Sequence, residues 1–311
     1  MKSSIFTRQS LYTRLKGLRS AEGYWRYGSN LGPTLGHLLS DRTGFSDNTR
    51  AIVRELHKNG IATSRVEDLF DPALVNDLEK ATNILIRSKS EEIRELKSKV
   101  DSDATIGQKT FNLELLGGEP LFQLDDPFAK IGLHASLLAI ARNYLRMTAQ
   151  LRYYNVWYTA ASEGVSRESQ LWHFDREDNY ILKVFLYLDD VDLGTGPFTY
   201  APGTHRMGIY RSLQPEFIME GNVRRTTDEQ MDKVYPREKW KACTGRKGTV
   251  IFADTRGYHK GGEARAKDRL MFTCMYTSPA SQSKDLIRFP QDFDPAKLSR
   301  EQIRALRIPR K

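Results

Sequence analysis

A chain of 311 residues can hold one large domain or two ordinary ones, and its 39% hydrophobic content is ample for a buried core. Lysine and arginine exceed the acids by nine, so the surface should attract anionic partners, yet no recognition motif or aromatic-plus-basic repeat points to nucleic acid. Cys243 and Cys274 are the only cysteines, which excludes a disulfide scaffold and fits a reducing, cytoplasmic setting; no apolar run reaches the roughly 20 residues that span a bilayer.

Residues 1–20 carry Lys2, Arg8, Arg14, Lys16 and Arg19 and no acid, with Leu11, Leu15 and Leu18 at helical spacing. Such a segment can lie on an anionic membrane, matches an organelle transit peptide in composition, or is a solvated helix packed on the domain. Glu22 to Asn48 reads as irregular structure, and residues 1–47 together as a basic N-terminal extension. The stripe Ile52, Val53 and Leu56 predicts a helix that stops at Asn59-Gly60. Asp71-Pro72 supplies a cap and a first-turn proline for a helix predicted from Ala73 toward Val100, with Leu74, Leu78, Ala81 and Ile84 on one face. Thr105 to Leu116 reads as a strand. Pro127 to Tyr144 reads as a helix with Ile131, His134, Leu137, Leu138 and Ala141 at core spacing, and Gln150 to Thr159 as a β-rich segment that opens a barrel.

The stretch Gln170-Leu-Trp-His-Phe-Asp-Arg-Glu-Asp178 organises the rest. On an extended strand His173 and Asp175 share a face and can aim an imidazole nitrogen and a carboxylate oxygen at one point. His259, 84 residues beyond Asp175, would complete two histidines and one carboxylate, a set that suits non-heme Fe(II) and leaves the opposite face open for oxygen and a chelating co-substrate. Lys183 to Leu188, an acidic turn Asp189 to Asp192, and Gly196 to Arg206 read as strand, turn, strand. The polar insertion Gln214 to Lys247 is expected to form lids or loops at the mouth of a site. Gly248 to Ala253 reads as a short buried strand delivering Asp254 and, a turn later, His259; Arg269 to Thr277 reads as the next strand, and residues 281–311 as a basic tail.

Trp172-His-Phe-Asp175, the segment Gly196-Pro-Phe-Thr-Tyr-Ala-Pro-Gly-Thr-His205, and a distal histidine followed ten residues on by Arg269 resemble the phytanoyl-CoA dioxygenase (PhyH) family of Fe(II)/2-oxoglutarate oxygenases. Leu56 to Thr63 and Leu69 to Val75 look like its opening strand and helix. The resemblance implies an α+β fold, mainly β, over residues 48–280: a double-stranded β-helix (jelly-roll, cupin-like) core supported by N-terminal helices. It further implies Fe(II) at His173, Asp175 and His259, and oxidative decarboxylation of 2-oxoglutarate by O2 to succinate and CO2. Hydroxylation of an unactivated carbon of a small, anionic or carrier-linked metabolite is the default outcome. A membrane-surface oxygenase acting on lipid or lipid-linked sugar through the basic termini, and a non-catalytic jelly-roll binding module, are the alternatives. Halogenating relatives carry a small residue where Asp175 stands, so the carboxylate points to oxygenation.

Arg269 offers a planar fork that matches the C5 carboxylate of 2-oxoglutarate, although Arg265 and Lys267 nearby would also suit a surface arginine. Alignment with the family puts Phe185 beside the co-substrate pocket. Lys183 and Tyr187 share its strand face, opposite Val184, Leu186 and Leu188, so Lys183 is either a second pocket cation or an edge-strand solubilising charge. Gln170 and Asn155 are candidates to hydrogen-bond the co-substrate or a metal ligand, ordinary strand and loop polarity being the alternative. His37, His57, His134 and His205 are left out of the metal site, and Trp172 is expected to pack. Arg176, Glu177 and Asp178 either face the substrate or form a solvated turn.

Overall fold

A computed structural model describes residues 21–39, 45–101, 110–220 and 223–308. The strands are β1 (Ile61–Arg65), β2 (Asn112–Glu114), β3 (Gln150–Thr159), β4 (Leu182–Tyr187), β5 (Phe198–Tyr200), β6 (Ile218–Glu220), β7 (Val223–Arg225), β8 (Lys241–Ala242), β9 (Thr249–Asp254), β10 (His259–Gly261) and β11 (Arg269–Thr277). Six of them form an antiparallel sheet in the order β1-β9-β4-β11-β3-β2, and three form a smaller sheet, β10-β5-β8. The alternation in β4 explains how the layers stack. Val184 and Leu186 point into the large hydrophobic core beneath the helices, while Phe185 and Tyr187 pack with Ile61, Phe198, Tyr200 and Ile251 between the two sheets. The large sheet is therefore covered on both faces, by helices on one side and by the small sheet on the other. This is the mixed α+β, antiparallel architecture of a cupin-like jelly roll.

The helices are α1 (Leu31–Leu38), α2 (Asp47–Asn59), α3 (Pro72–Ser88), α4 (Ser90–Lys99), α5 (Pro127–Gly132) and α6 (Ala135–Leu145), with two short ones later, α7 (Asp228–Asp232) and α8 (Arg300–Ala305). Local chemistry sets their ends. Ser46 Oγ accepts from Thr49 N at 3.1 Å and Asp71 Oδ1 from Leu74 N at 2.9 Å, each cap contributing about 1 kcal/mol. Gly60 ends α2 at φ +77, where a Cβ would run into the Tyr200 hydroxyl and the His205 ring.

Several expectations are corrected. The helix predicted from Ala73 to Val100 is two, α3 and α4. They part at Lys89, next to Ser88, whose hydroxyl donates to the Leu85 carbonyl at 2.8 Å and competes with helix continuation. The helix predicted over Pro127 to Tyr144 also splits. His134 does not line the core face as a helical residue; its Nδ1 accepts from Ser136 N at 3.3 Å and caps α6. Glu22 to Asn48 is not irregular throughout, because a π-helical turn, Tyr24–Ser29, leads into α1. Its buried positions past Trp25 are Asn30, Thr34 and His37, while Leu31, Leu35 and Leu38 are exposed, so its apolar stripe does not mark a core-facing helix. Of the strand expected from Thr105, β2 alone is seen, and residues 102–109 lie outside the described ones, as do residues 1–20 with their Leu11, Leu15 and Leu18 stripe. The segment read as a basic tail packs on the domain: Phe289 and Phe293 lie against Phe122 at ring distances of 5.5 and 5.4 Å. No helix among the described residues is long and apolar enough to cross a membrane, and both cysteines are buried and free.

Candidate metal centre

His173 and Asp175 do not sit on a regular strand. His173 forms an isolated antiparallel bridge with His259, the first residue of β10, and each backbone N–H donates to the other's carbonyl at 2.9 Å. The pairing brings the two rings to 4.3 Å. Asp175 N donates to Thr255 O at 2.8 Å, so the ligand segment and the loop before β10 are tied at both ends. That loop is itself fixed by Asp254, which is fully buried. Its carboxylate accepts from Tyr144 Oη at 2.6 Å, Arg256 N at 3.0 Å and Ile181 N at 3.3 Å.

One ligand atom from each of His173, Asp175 and His259 lies within 4.8 Å of the others. Each imidazole is oriented by its own chain: His173 Nδ1 pairs with Leu171 O at 2.8 Å and His259 Nδ1 with Gly257 O at 3.0 Å. A carbonyl can only accept, so Nδ1 carries the proton in both rings and Nε2 keeps its lone pair. Burial, followed by the neighbouring His259, holds His173 well below the ordinary histidine range; burial also lowers His259 to about 4. Both rings are thus neutral ligands. Burial opposes ionisation of Asp175, but the Lys183 ammonium outweighs it and keeps the carboxylate well below its usual range. Lys183 Nζ stands 2.6 Å from Oδ2, a buried ion pair that holds the carboxylate in its charged form. Two Nε2 lone pairs and an ionised carboxylate, brought within 4.8 Å of one another, fit a divalent metal held on one face.

The triad opens on a cavity of about 320 Å³ between the two sheets. Its inner wall includes Trp157 and Thr159 from β3, Phe185 from β4, Phe198 from β5 and Met271 from β11. Phe185 and Phe198 lie 4.5 Å apart, and Phe198 is 5.6 Å from the His259 ring. Arg269 begins β11 opposite Thr159 and lines the same cavity. It is 4% exposed, its Nη2 donates to Thr159 Oγ1 at 3.3 Å and its Nη1 to Gly262 O at 3.4 Å, while Nε has no partner. No carboxylate pairs with it among the described residues, so it is not the surface arginine its neighbours suggested. Burial pushes its pKa down, as expected of a guanidinium with no counter-charge.

Lys183 and Phe185 both line the cavity. Because β4 lies between β9 and β11, Lys183 is not an edge-strand charge. Gln170 and Asn155 do not reach the cavity. Gln170 Oε1 accepts from Arg167 N at 3.1 Å, closing the 3-10 turn Glu168–Gln170. Asn155 accepts from Leu116 N at 3.2 Å and donates to Gly117 O at 2.7 Å, pinning the loop after β2. Arg176 and Glu177 line the cavity, but Asp178 turns away and accepts from Trp25 Nε1 at 2.6 Å and Ser278 N at 2.7 Å. Trp172 packs, its ring 4.8 Å from Trp240. His205 is buried with Nε2 3.2 Å from His57 O, away from the triad. Sequence reasoning missed Thr159, Phe198 and Arg225 as cavity residues. Thr159 was signalled only by its phase with Trp157, and Arg225 of the β6–β7 hairpin by nothing.

Two facing sheets that hold a His-x-Asp pair and a distal histidine define the class: a cupin-like protein with a facial site of two imidazoles and one carboxylate. The profile of the phytanoyl-CoA dioxygenase (PhyH) family matches residues 56–271, and the chain belongs to that family. It is a non-heme Fe(II)/2-oxoglutarate-dependent oxygenase. Among solved structures, EctD from S. alaskensis with 2-oxoglutarate and 5-hydroxyectoine is similar in fold, with a TM-score of 0.50 and 19% identity over 87% of this chain and 89% of that one. The carbocyclase SnoK from nogalamycin biosynthesis gives 0.48 and 15% identity over 82% and 92% of the two chains. The epimerase SnoN, in complex with Fe3+, alpha ketoglutarate and nogalamycin RO, gives 0.47 and 14% over 77% and 87%. A search of curated proteins found no match.

Proposed function

We propose that this oxygenase hydroxylates an unactivated carbon of a small anionic metabolite, with His173, Asp175 and His259 as its iron ligands and Arg269 as the clamp on the C5 carboxylate of 2-oxoglutarate. The observation that carries the reading is Arg269 itself: a buried guanidinium, without a carboxylate among the described residues, opening on the same cavity as the triad. An uncompensated buried charge is costly, and a carboxylate presented to its free N–H removes that cost. Bound iron would supply oxygen activation coupled to oxidative decarboxylation of the co-substrate.

The chain's own residues do the positioning. The Nδ1–carbonyl pairs hold both imidazoles in one tautomer and one direction. Phe185, Phe198, Trp157 and Met271 make the inner wall apolar and keep bulk water from the reacting carbon. A divalent metal, one carboxylate ligand and a dianionic co-substrate leave an excess of one negative charge, which Lys183 and Arg269 more than offset. On the rest of the wall Arg176 is matched by Glu177 and Arg225 by Glu168 at 3.2 Å, so the net positive charge left by Lys183 and Arg269 is what favours an anion in the remaining space. Succinate released from 2-oxoglutarate, measured across matched pairs of phosphorylated or carboxylated metabolites and their neutral counterparts, tests the reading. Coupled turnover with anionic members is expected; equal or better turnover with the neutral ones would overturn the substrate class.

A second reading, contact with a membrane surface, is favoured by one feature. Tyr24, Tyr27, Leu31, Leu35 and Leu38 are exposed at helical spacing along residues 24–38, next to the basic start of the chain. Sedimentation of the full chain with anionic vesicles should weaken in the Tyr27→Ser/Leu35→Ser variant; unchanged sedimentation removes this reading.

A further inference from the structure

We propose that a groove beside the catalytic cavity, lined by Arg206, Arg211, Arg224 and Arg256, binds a phosphate or diphosphate group borne by the substrate; the proposal deepens the anionic-substrate reading above and rests on it. The groove, of about 610 Å³, has those four arginines along it and no acidic residue in its lining. Phe174, the residue between His173 and Asp175, lines both this groove and the catalytic cavity. A ligand whose charged end rests in the groove therefore reaches the triad by passing one aromatic ring.

The ring of Phe174 is held from three sides: edge-on by Tyr258 at 5.3 Å, and by the guanidinium carbons of Arg176 at 5.0 Å and Arg256 at 5.5 Å. Arg206 is offset by Glu22 at 3.6 Å. Arg211 and Arg224 have no carboxylate partner among the described residues, whereas Arg256 lies in the field of Asp254 and Asp175. Arg224 stacks on Phe217 at 4.3 Å, which fixes its plane and leaves its donors for an anion. Arg256 Nη1 donates to Asp175 O at 2.8 Å, but its Nε is buried without an acceptor. Two guanidiniums lacking counter-charges, Arg211 and Arg224, outweigh the single charge of a carboxylate, whereas a phosphate or diphosphate carries charge and acceptor oxygens enough for both. Ser212 and Gln214 add neutral polar groups to the same wall.

The test is a calorimetric titration of inorganic diphosphate into the metal-free full-length chain, because diphosphate would chelate iron. Wild type is expected to bind it, and Arg211→Glu/Arg224→Glu to bind at least tenfold more weakly; Arg256 is spared because it also holds Asp175 O. An affinity unchanged within twofold overturns the proposal. So does retention in that variant with loss in Arg269→Ala, which would put the probe in the catalytic cavity. Anaerobic Fe(II) plus 2-oxoglutarate is added to parallel samples: a charge-transfer band in both wild type and R211E/R224E keeps the oxygenase site intact whatever the groove does. Absence of the band from wild type sinks the site reading alone, and diphosphate still decides the groove. Vesicles of phosphatidylglycerol separate the phosphate sources. Sedimentation lost in R211E/R224E along with diphosphate binding assigns a lipid headgroup; sedimentation kept while diphosphate binding is lost assigns a soluble phosphorylated substrate.

Discussion

His173, Asp175, His259 and Arg269 occupy an end of the interior where backbone pairing decides every side-chain direction, whereas the opposite wall is made of loops and the β6–β7 hairpin. At the first end the His173–His259 bridge and the Arg269↔Thr159 register leave no freedom. At the second, Ile218 is 43% and Met219 56% exposed, and the hairpin is held at its base by the Trp172↔Thr226 bridge and by Arg225, whose Nη2 donates to Glu168 Oε2 at 3.2 Å. The contrast separates two tasks. The proposed function puts chemistry that needs fixed geometry on backbone-paired positions and ligand choice on segments that can change without disturbing the sheets.

The sharpest way to break this comparison is at the rigid end. His173→Ala should abolish stoichiometric iron binding and lower 2-oxoglutarate turnover by more than the ~100-fold that loss of an outer hydrogen-bond partner costs; metal content and succinate release check it. Arg269→Ala should leave iron binding intact and raise the KM for 2-oxoglutarate about 10- to 100-fold, the value of a charge-assisted pair in a buried site. An unchanged KM would detach Arg269 from the co-substrate. Tyr144→Phe probes the support beneath the triad. It removes the hydrogen bond to buried Asp254 Oδ2 and should lower unfolding stability by about 1–3 kcal/mol in a denaturant titration.

The smallest expected effect lies in the helical layer. Burial, then Arg146, His205 and Arg26, lower His57 to about 4, so the folded state favours its neutral form. That contribution is complete above the free-histidine value near 6.5 and is lost as pH falls from there through about 4. His57 is only partly buried, so after discounting for solvent the loss is on the order of 1 kcal/mol. Thermal unfolding at pH 7.5 and 5.0 should show a larger drop for wild type than for His57→Gln; equal drops would contradict it.

The sequence made the rigid end legible and the variable end largely illegible, and the difference is physical. His173, Asp175 and His259 could be read because ligand chemistry restricts residue type and their flanking strands alternate cleanly. The place of Arg269 on the cavity wall could be read because a strand begins at it. The reading failed where a side chain's partner is chosen by tertiary neighbours. The amides of Gln170 and Asn155 suit a pocket or a backbone turn equally well, and only the position of Arg167 and of the Leu116–Gly117 loop decides. Lys183 stayed ambiguous because the order β9-β4-β11 is not written in any local pattern. Asp254 looked like a strand end, since Tyr144, which completes its hydrogen bonding, is 110 residues away. In the groove, Arg206, Arg211, Arg224 and Arg256 are dispersed over the sequence and meet only after the loops close around Tyr258.

Anaerobic absorption spectroscopy of the purified chain with Fe(II) and 2-oxoglutarate reaches the central claim most directly. A broad visible charge-transfer band at one iron per chain, absent in His173→Ala and needing more 2-oxoglutarate in Arg269→Ala, is the expected result. Wild-type protein that takes up no iron, or a band of full intensity in His173→Ala, would contradict it.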